Sequence, residues 1–293
     1  MHQGVITILA FLIGFLLAFI LMKDNNSFGS NIEQIYQERI DILRQNEKTP
    51  QDFKTFPKYY INLDRSEERK RVIEAEAKRY KIENMTRVKA FDGRQMIDIS
   101  EGNIDNYHYQ ANKKKGDNIN QLAITMSHIK AMLSVKEDMA MIMEDDVSFT
   151  LTPYWKKNMQ DIINDIPDDC EIFLLSNHRS EKVDRIMVEK CTDFSDFNGV
   201  CYIITKKGLE KAKRMFYPKE NFLNLTSLTS DYVFDRGCLG QFKVYTYNIT
   251  LFLLENFHKD STHDDNQFER RVTTKVTKKV LDLNTFIPLN NSH

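Results

Sequence analysis

Three consecutive carboxylates, Glu144-Asp145-Asp146, stand at the end of the apolar run Met139-Ala140-Met141-Ile142-Met143. Carboxylates packed this closely repel one another unless a cation lies between them. Residues i and i+2 of an extended segment point to the same side, so Glu144 and Asp146 can converge on one ion. Hard oxygen ligands with spare coordination positions suit Mg²⁺ or Mn²⁺ bridging a diphosphate. A solvated acidic turn closing a strand has the same composition, so the triplet alone leaves both readings open.

Other polar groups follow short apolar runs in the same manner. Tyr60-Ile61-Asn62-Leu63-Asp64-Arg65-Ser66 ends a run with an amide, a carboxylate and a guanidinium, and Glu68-Arg69 comes one turn later. Asp92-Gly93 closes the run before it, and Ser127-His128 lies within an apolar helical stretch. Each has a structural reading beside the functional one. Asp64 and Arg65 can form a capping turn with a local ion pair, Arg69 a solvated charge, Asp92 a plain turn, and His128 a satisfied core histidine.

The elements that must position these groups alternate. Strands are expected at residues 59–63, 86–91, 139–143, 171–176, 200–205 and 241–247. Helices are expected at residues 66–80, 121–135, 154–166 and 206–216, the first with Ser66 as N-cap and Glu67 and Glu68 in its first turn. This alternation argues an α/β fold with helices flanking a mixed, mostly parallel sheet. Residues 97–118, polar and containing Lys113-Lys114-Lys115-Gly116, read as a surface loop.

Taken in order, the Asn62-Leu63-Asp64-Arg65-Ser66 segment, Ala90-Phe91-Asp92-Gly93, Ser127-His128 and Glu144-Asp145-Asp146 resemble glycosyltransferase family 25, the LPS-type and collagen-type galactosyltransferases. Asn198-Gly199 with Cys201-Tyr202-Ile203-Ile204-Thr205-Lys206 and, later, Ser230-Asp231 continue the likeness, which covers residues 59–265. One departure is visible: Asn120, Ala123 and Ile124 stand where the family has two glycines and a cysteine before its Ser-His pair.

The resemblance implies a GT-A-like nucleotide-sugar transferase fold, an inverting reaction, a UDP-sugar donor and a hydroxyl acceptor on a glycan or protein. It implies that Asn62, Asp64, Arg65, Arg69, Asp92, Ser127 and His128 bind the donor. Glu144 and Asp146 would hold Mn²⁺ or Mg²⁺, with His258 or His263 after the last strand as further ligands. Asp231 stands where the family has a late acidic site and would be the catalytic base, with Asp145 backing the metal or facing the sugar. An inactive nucleotide-sugar-binding module of the same fold is the alternative, favoured by the departures at Asn120, Ala123 and Ile124. A phosphotransferase would call for a glycine-rich phosphate cradle, which the ten glycines do not form.

Composition sets the outer bounds. The 293 residues suffice for one large domain or two small ones, and 41% hydrophobic with 28% charged residues reads as globular. Forty-one basic against 42 acidic side chains leave a net charge of −1, which speaks against nucleic-acid binding. Four cysteines without a CxxC pair argue against a zinc ribbon and leave disulfides open.

Residues 5–22 carry no charge and would span about 27 Å as a helix, close to a bilayer core. The expected organisation is a signal anchor (1–23), a stem with a helix near 31–46 that packs on the domain or on a second copy (24–56), the transferase domain (57–265) and a polar tail (266–293). Sequons at Asn25, Asn84, Asn224, Asn248 and Asn290 suit a secretory lumen only weakly, since chance supplies several. The expected location is a membrane: facing the ER or Golgi lumen in a eukaryote or virus, the inner membrane in a bacterium.

Overall fold

A computed structural model of the chain describes residues 49–112, 118–176, 186–192, 198–228 and 234–254. The anchor and stem helix read from the sequence, the residues Asp231, His258 and His263, and the polar tail lie outside them. Among the described residues no helix is long and apolar enough to cross a membrane.

The first elements are α1 (Gln51–Thr55), β1 (Lys58–Asn62), α2 (Glu67–Arg79), β2 (Met85–Lys89), β3 (Glu101–Ile104) and β4 (Tyr107–Gln110). Next come α3 (Ile119–Ser134), β5 (Ala140–Glu144), β6 (Val147–Ser148), α4 (Met159–Asn164), β7 (Ile172–Leu174) and β8 (Val188–Lys190). The last are β9 (Cys201–Ile204), α5 (Lys206–Phe216), β10 (Phe222–Asn224), a π-helical turn (Phe234–Cys238), β11 (Val244–Tyr247) and β12 (Leu253–Leu254).

Seven strands form the main sheet in the order β2-β1-β5-β9-β7-β11-β8. Its period-2 alternation sends Tyr59, Ile61, Ile142, Tyr202 and Ile204 into one apolar cluster, where α3 packs. Tyr60, Met141, Met143, Cys201 and Ile203 enter the other, with Ile73 and Ala77 of α2 and Met159 and Ile162 of α4. Helices therefore cover both faces, and the central strands read as continuous apolar runs because neither face meets water.

Three expectations are corrected. The sheet is evenly mixed: β1 pairs in parallel with β2 and β5, and β7 with β11, while β9 runs antiparallel to β5 and β7, and β8 to β11. Residues 97–118 are no simple loop, because β3 and β4 form an antiparallel hairpin to which β10 adds in parallel. The helix expected over 154–166 is only α4, which a capping box of Asn158 and Asp161 starts afresh. Ser66 occupies the N-cap of α2 but makes no side-chain cap bond; Glu67 and Glu68 at the start and Lys78 and Arg79 at the end complement the helix dipole. All four cysteines are free and buried.

Lys58 is fully buried at the start of β1. Its ammonium donates to the carbonyls of Phe53 and Phe56, the latter at 2.6 Å, and lies 4.5 Å from the Phe53 ring centre, tying α1 to the sheet. Burial pulls its pKa from 10.5 to about 7, against the opposing pull of Cys201 and Glu83. Below that value folded and unfolded chains both carry the proton. Between about 7 and 10.5 the unfolded chain binds more, so stability rises with pH through this window. Urea unfolding at two pH values inside the window is expected to show the wild type gaining stability relative to Lys58→Met as pH rises; parallel profiles would refute the assignment.

Candidate active site

Parallel pairing brings the carboxyl ends of β1, β2 and β5 to one edge of the sheet, with Asn62 opposite Lys89 and Ile61 opposite Glu144. The groups that follow these strands therefore meet although they are far apart in sequence. Ligands of open α/β sheets gather outside such strand ends.

Arg69 of α2 is the hub of one half. One terminal nitrogen of its guanidinium lies 2.9 Å from Asp145 Oδ1 and 2.6 Å from Asp146 Oδ2. Asn62, buried at 1% exposure, donates to Asp145 Oδ2 at 2.7 Å and to the Ser66 carbonyl at 3.2 Å, and accepts from Arg87 Nε at 2.9 Å. Burial raises the Asp145 pKa, while Arg69 and then Asn62 oppose the rise. The amide of Asn62 is thus engaged inside the protein, joining β1 to the acidic turn.

A charged belt forms the other half. Arg65 Nε donates to Asp92 Oδ2 at 2.9 Å, and Asp92 Oδ1 accepts from the Arg94 amide at 3.0 Å, which fixes the Asp92-Gly93 turn. Asp64 accepts from Arg87 at 2.7 Å and pairs with Lys89 at 3.2 Å; these bonds hold its carboxyl below the usual range. Lys89 continues to Asp105 at 2.9 Å. The pairs of Asp64 and Arg65 reach across elements, so they are not the local pair of a capping turn.

Ser127 and His128 sit on α3, both buried. Ser127 Oγ donates to the Ala123 carbonyl at 2.6 Å and accepts from the Phe91 amide at 2.9 Å, seating the Asp92 turn on the helix. His128 has Nδ1 3.2 Å from the Tyr202 hydroxyl and Nε2 3.4 Å from Glu144 Oε1. The departure at Asn120 has a local counterpart: a Cβ on Gly93 would lie 2.4 Å from Asn120 Oδ1, so the larger side chain stands where a glycine faces it.

The carboxylate triplet splits. Asp145 and Asp146 turn to Arg69, whereas Glu144, one-third exposed, turns to His128. Among the described residues no group of three His, Cys, Asp or Glu side chains is arranged to hold a metal ion. The fit to a divalent cation is therefore incomplete within them, and the two histidines read as further ligands lie outside. Sequence reasoning missed Arg87 and Lys89, although their alternation about the buried Val88 marks them as one outward row. It also missed Phe234, whose ring stacks on His128 with centroids 3.8 Å apart, and Asp235, which accepts from the Gly199 amide at 2.7 Å.

The charged groups therefore collect at the strand ends where α/β sheets bind their ligands. The family model of glycosyltransferase family 25 (LPS biosynthesis protein) matches residues 55–251. The chain belongs to this family and is a glycosyltransferase. No curated protein matches its sequence.

Proposed function

We propose that this chain is an inverting, metal-dependent glycosyltransferase that moves a sugar, foremost galactose, from a UDP-sugar to a hydroxyl of a glycan or protein. The observation that carries the reading is the meeting of the Asp64, Arg65 and Asp92 belt with the carboxylate triplet outside β1, β2 and β5. In it, the belt receives the nucleoside and Arg69 keeps the acidic turn folded. The acceptor oxygen attacks the anomeric carbon while the bond to the diphosphate oxygen breaks, and the acceptor proton passes to Asp231. Glu144 and Asp146, with His258 or His263, would hold Mn²⁺ or Mg²⁺, which supplies neutralising charge to the departing diphosphate. Residues 5–22 anchor the enzyme in a membrane, and the stem offers a surface for a second copy.

The test is calorimetry of the full-length chain with UDP, in Mn²⁺ and then in EDTA, beside hydrolysis of UDP-galactose and other UDP-sugars. Metal-dependent UDP binding with turnover of one sugar is expected. Glu144→Ala is expected to abolish transfer with the fold intact, Asp146→Ala to abolish it while also loosening the pair with Arg69, and Asp231→Asn to slow it about 10²–10⁴-fold with UDP binding unchanged. Tight UDP binding without turnover, acceptors included, would favour the inactive binding module. Absence of UDP binding would overturn the proposal.

A further inference from the structure

We infer that Arg87 of β2 is a positioning residue for sugar transfer, joining the two halves of the site through the Asn62 amide. Arg87 and Lys89 lie opposite Tyr60 and Asn62 in the parallel pairing of β1 with β2. All four therefore belong to the sheet face on which Ile73 and Ala77 of α2 pack. A continuous chain of polar contacts crosses the site from there. It runs from Arg69 to Asp145 at 2.9 Å, on to Asn62 at 2.7 Å and to Arg87 at 2.9 Å. Beyond Arg87 it continues to Asp64 at 2.7 Å, Lys89 at 3.2 Å, Asp105 at 2.9 Å and Lys130 at 3.7 Å. The acidic turn lies at one end, the charged belt and the turn between β3 and β4 at the other, and Arg87 stands where they join.

The partners fix which way the Asn62 amide faces. Arg87 can only donate and the Ser66 carbonyl can only accept, so Oδ1 meets the guanidinium while Nδ2 meets Ser66 and Asp145. Asn62 is buried, so loss of Arg87 leaves Oδ1 without its donor and frees the amide that aims Nδ2 at Asp145. The fork of the guanidinium matters as well as its charge. Its Nε serves Asn62 and a terminal nitrogen serves Asp64, a span that the single nitrogen of a lysine does not reproduce. The inference rests on glycosyl transfer at this site and calls on no metal ion.

The experiment measures kcat per folded molecule for Arg87→Met, Asn62→Leu and their combination in the full-length chain, with the UDP-sugar that it turns over. Each single variant is expected to lose about 10²-fold, the scale of a 1 Å misplacement. The combination is expected to lose no more than the worse of the two, since both cut one link. Losses that multiply overturn the inference, as does wild-type kcat in a folded Arg87→Met, the result that a purely stabilising role would give. A second cycle needs no donor: urea unfolding of Arg87→Met, Asp145→Asn and the double variant. Among the described residues Arg87 and Asp145 share Asn62 and no direct bond. They are expected to be coupled about 2–100-fold in the unfolding constant, and the coupling to vanish in an Asn62→Leu chain. Additive effects overturn the inference, and so does a coupling that survives Asn62→Leu, which would be attraction through space. If Arg87→Met does not fold, Arg87→Lys replaces it in both cycles. A wild type that turns over no UDP-sugar removes the proposed function, while the second cycle still decides the link.

Discussion

Replacement of Arg69 by methionine is expected to destabilise the domain by about 3–5 kcal/mol, the usual cost of leaving a buried carboxylate without its counter-ion. Against a typical domain stability of about 5–15 kcal/mol this is a large fraction. The expectation follows from one guanidinium nitrogen lying within 3 Å of two acidic side chains, one of which, Asp145, is 6% exposed. Asn62 still donates to Asp145 in the variant, but an amide dipole does not replace a full charge. Adding Asp145→Asn removes the orphaned charge, so the double variant is expected to be more stable than Arg69→Met alone. Urea unfolding of the four members of this cycle measures the coupling directly. A coupling near zero would mean that the acidic turn is held by something other than Arg69.

The second large effect is expected at Gly199. A Cβ there would lie 2.3 Å from Phe234 Cδ1 and 2.8 Å from Asp235 Oδ1. The Gly199 amide also donates to Asp235 Oδ1 at 2.7 Å, so the backbone cannot simply retreat. Gly199→Ala must therefore displace the Phe234 ring, and that ring lies on His128. Overpacking of this sort costs about 1–3 kcal/mol. Because a displacement near 1 Å in a supporting group can cost about 10²-fold in rate, transfer per folded molecule is expected to fall by roughly that factor. Activity normalised to the folded fraction is the measurement. Full specific activity in a folded Gly199→Ala chain would show that Phe234 can move without consequence.

Both effects bear on what was legible beforehand. The alternation of apolar runs and helical periods revealed the principal strands and α2, α3 and α5, because burial on two faces leaves a plain mark on composition. The reversed direction of β9 left none, since a strand reads the same whichever way it runs through a sheet. The hairpin of β3 and β4 was hidden by polar residues: only Ile104 and Tyr109 of its eight positions are buried. At the site, residue types named the groups but not their partners. Arg69 could be a solvated charge until its reach to Asp145 and Asp146, 77 residues along for the latter, was seen. Asn62 and Ser127, read as donor contacts, use their polar atoms within the protein, a distinction that only burial reveals.

The central place of β9 has a consequence for how the chain is made. Synthesis runs from the amino terminus, so β2, β1 and β5 leave the ribosome as a three-stranded piece, and β7 follows as a separate strand. The strand between them in the finished sheet comes only at Cys201–Ile204. Until it arrives, the Met141 and Met143 edge of β5 has no neighbour on that side, and His128 has no Tyr202 to orient it. A nascent chain that has not yet reached Cys201 thus exposes an apolar strand edge open to pairing with other chains. Insertion of β9 closes that edge and brings Tyr202 to His128 in the same event, so the strand that ends the exposed stage also completes the contact behind Glu144.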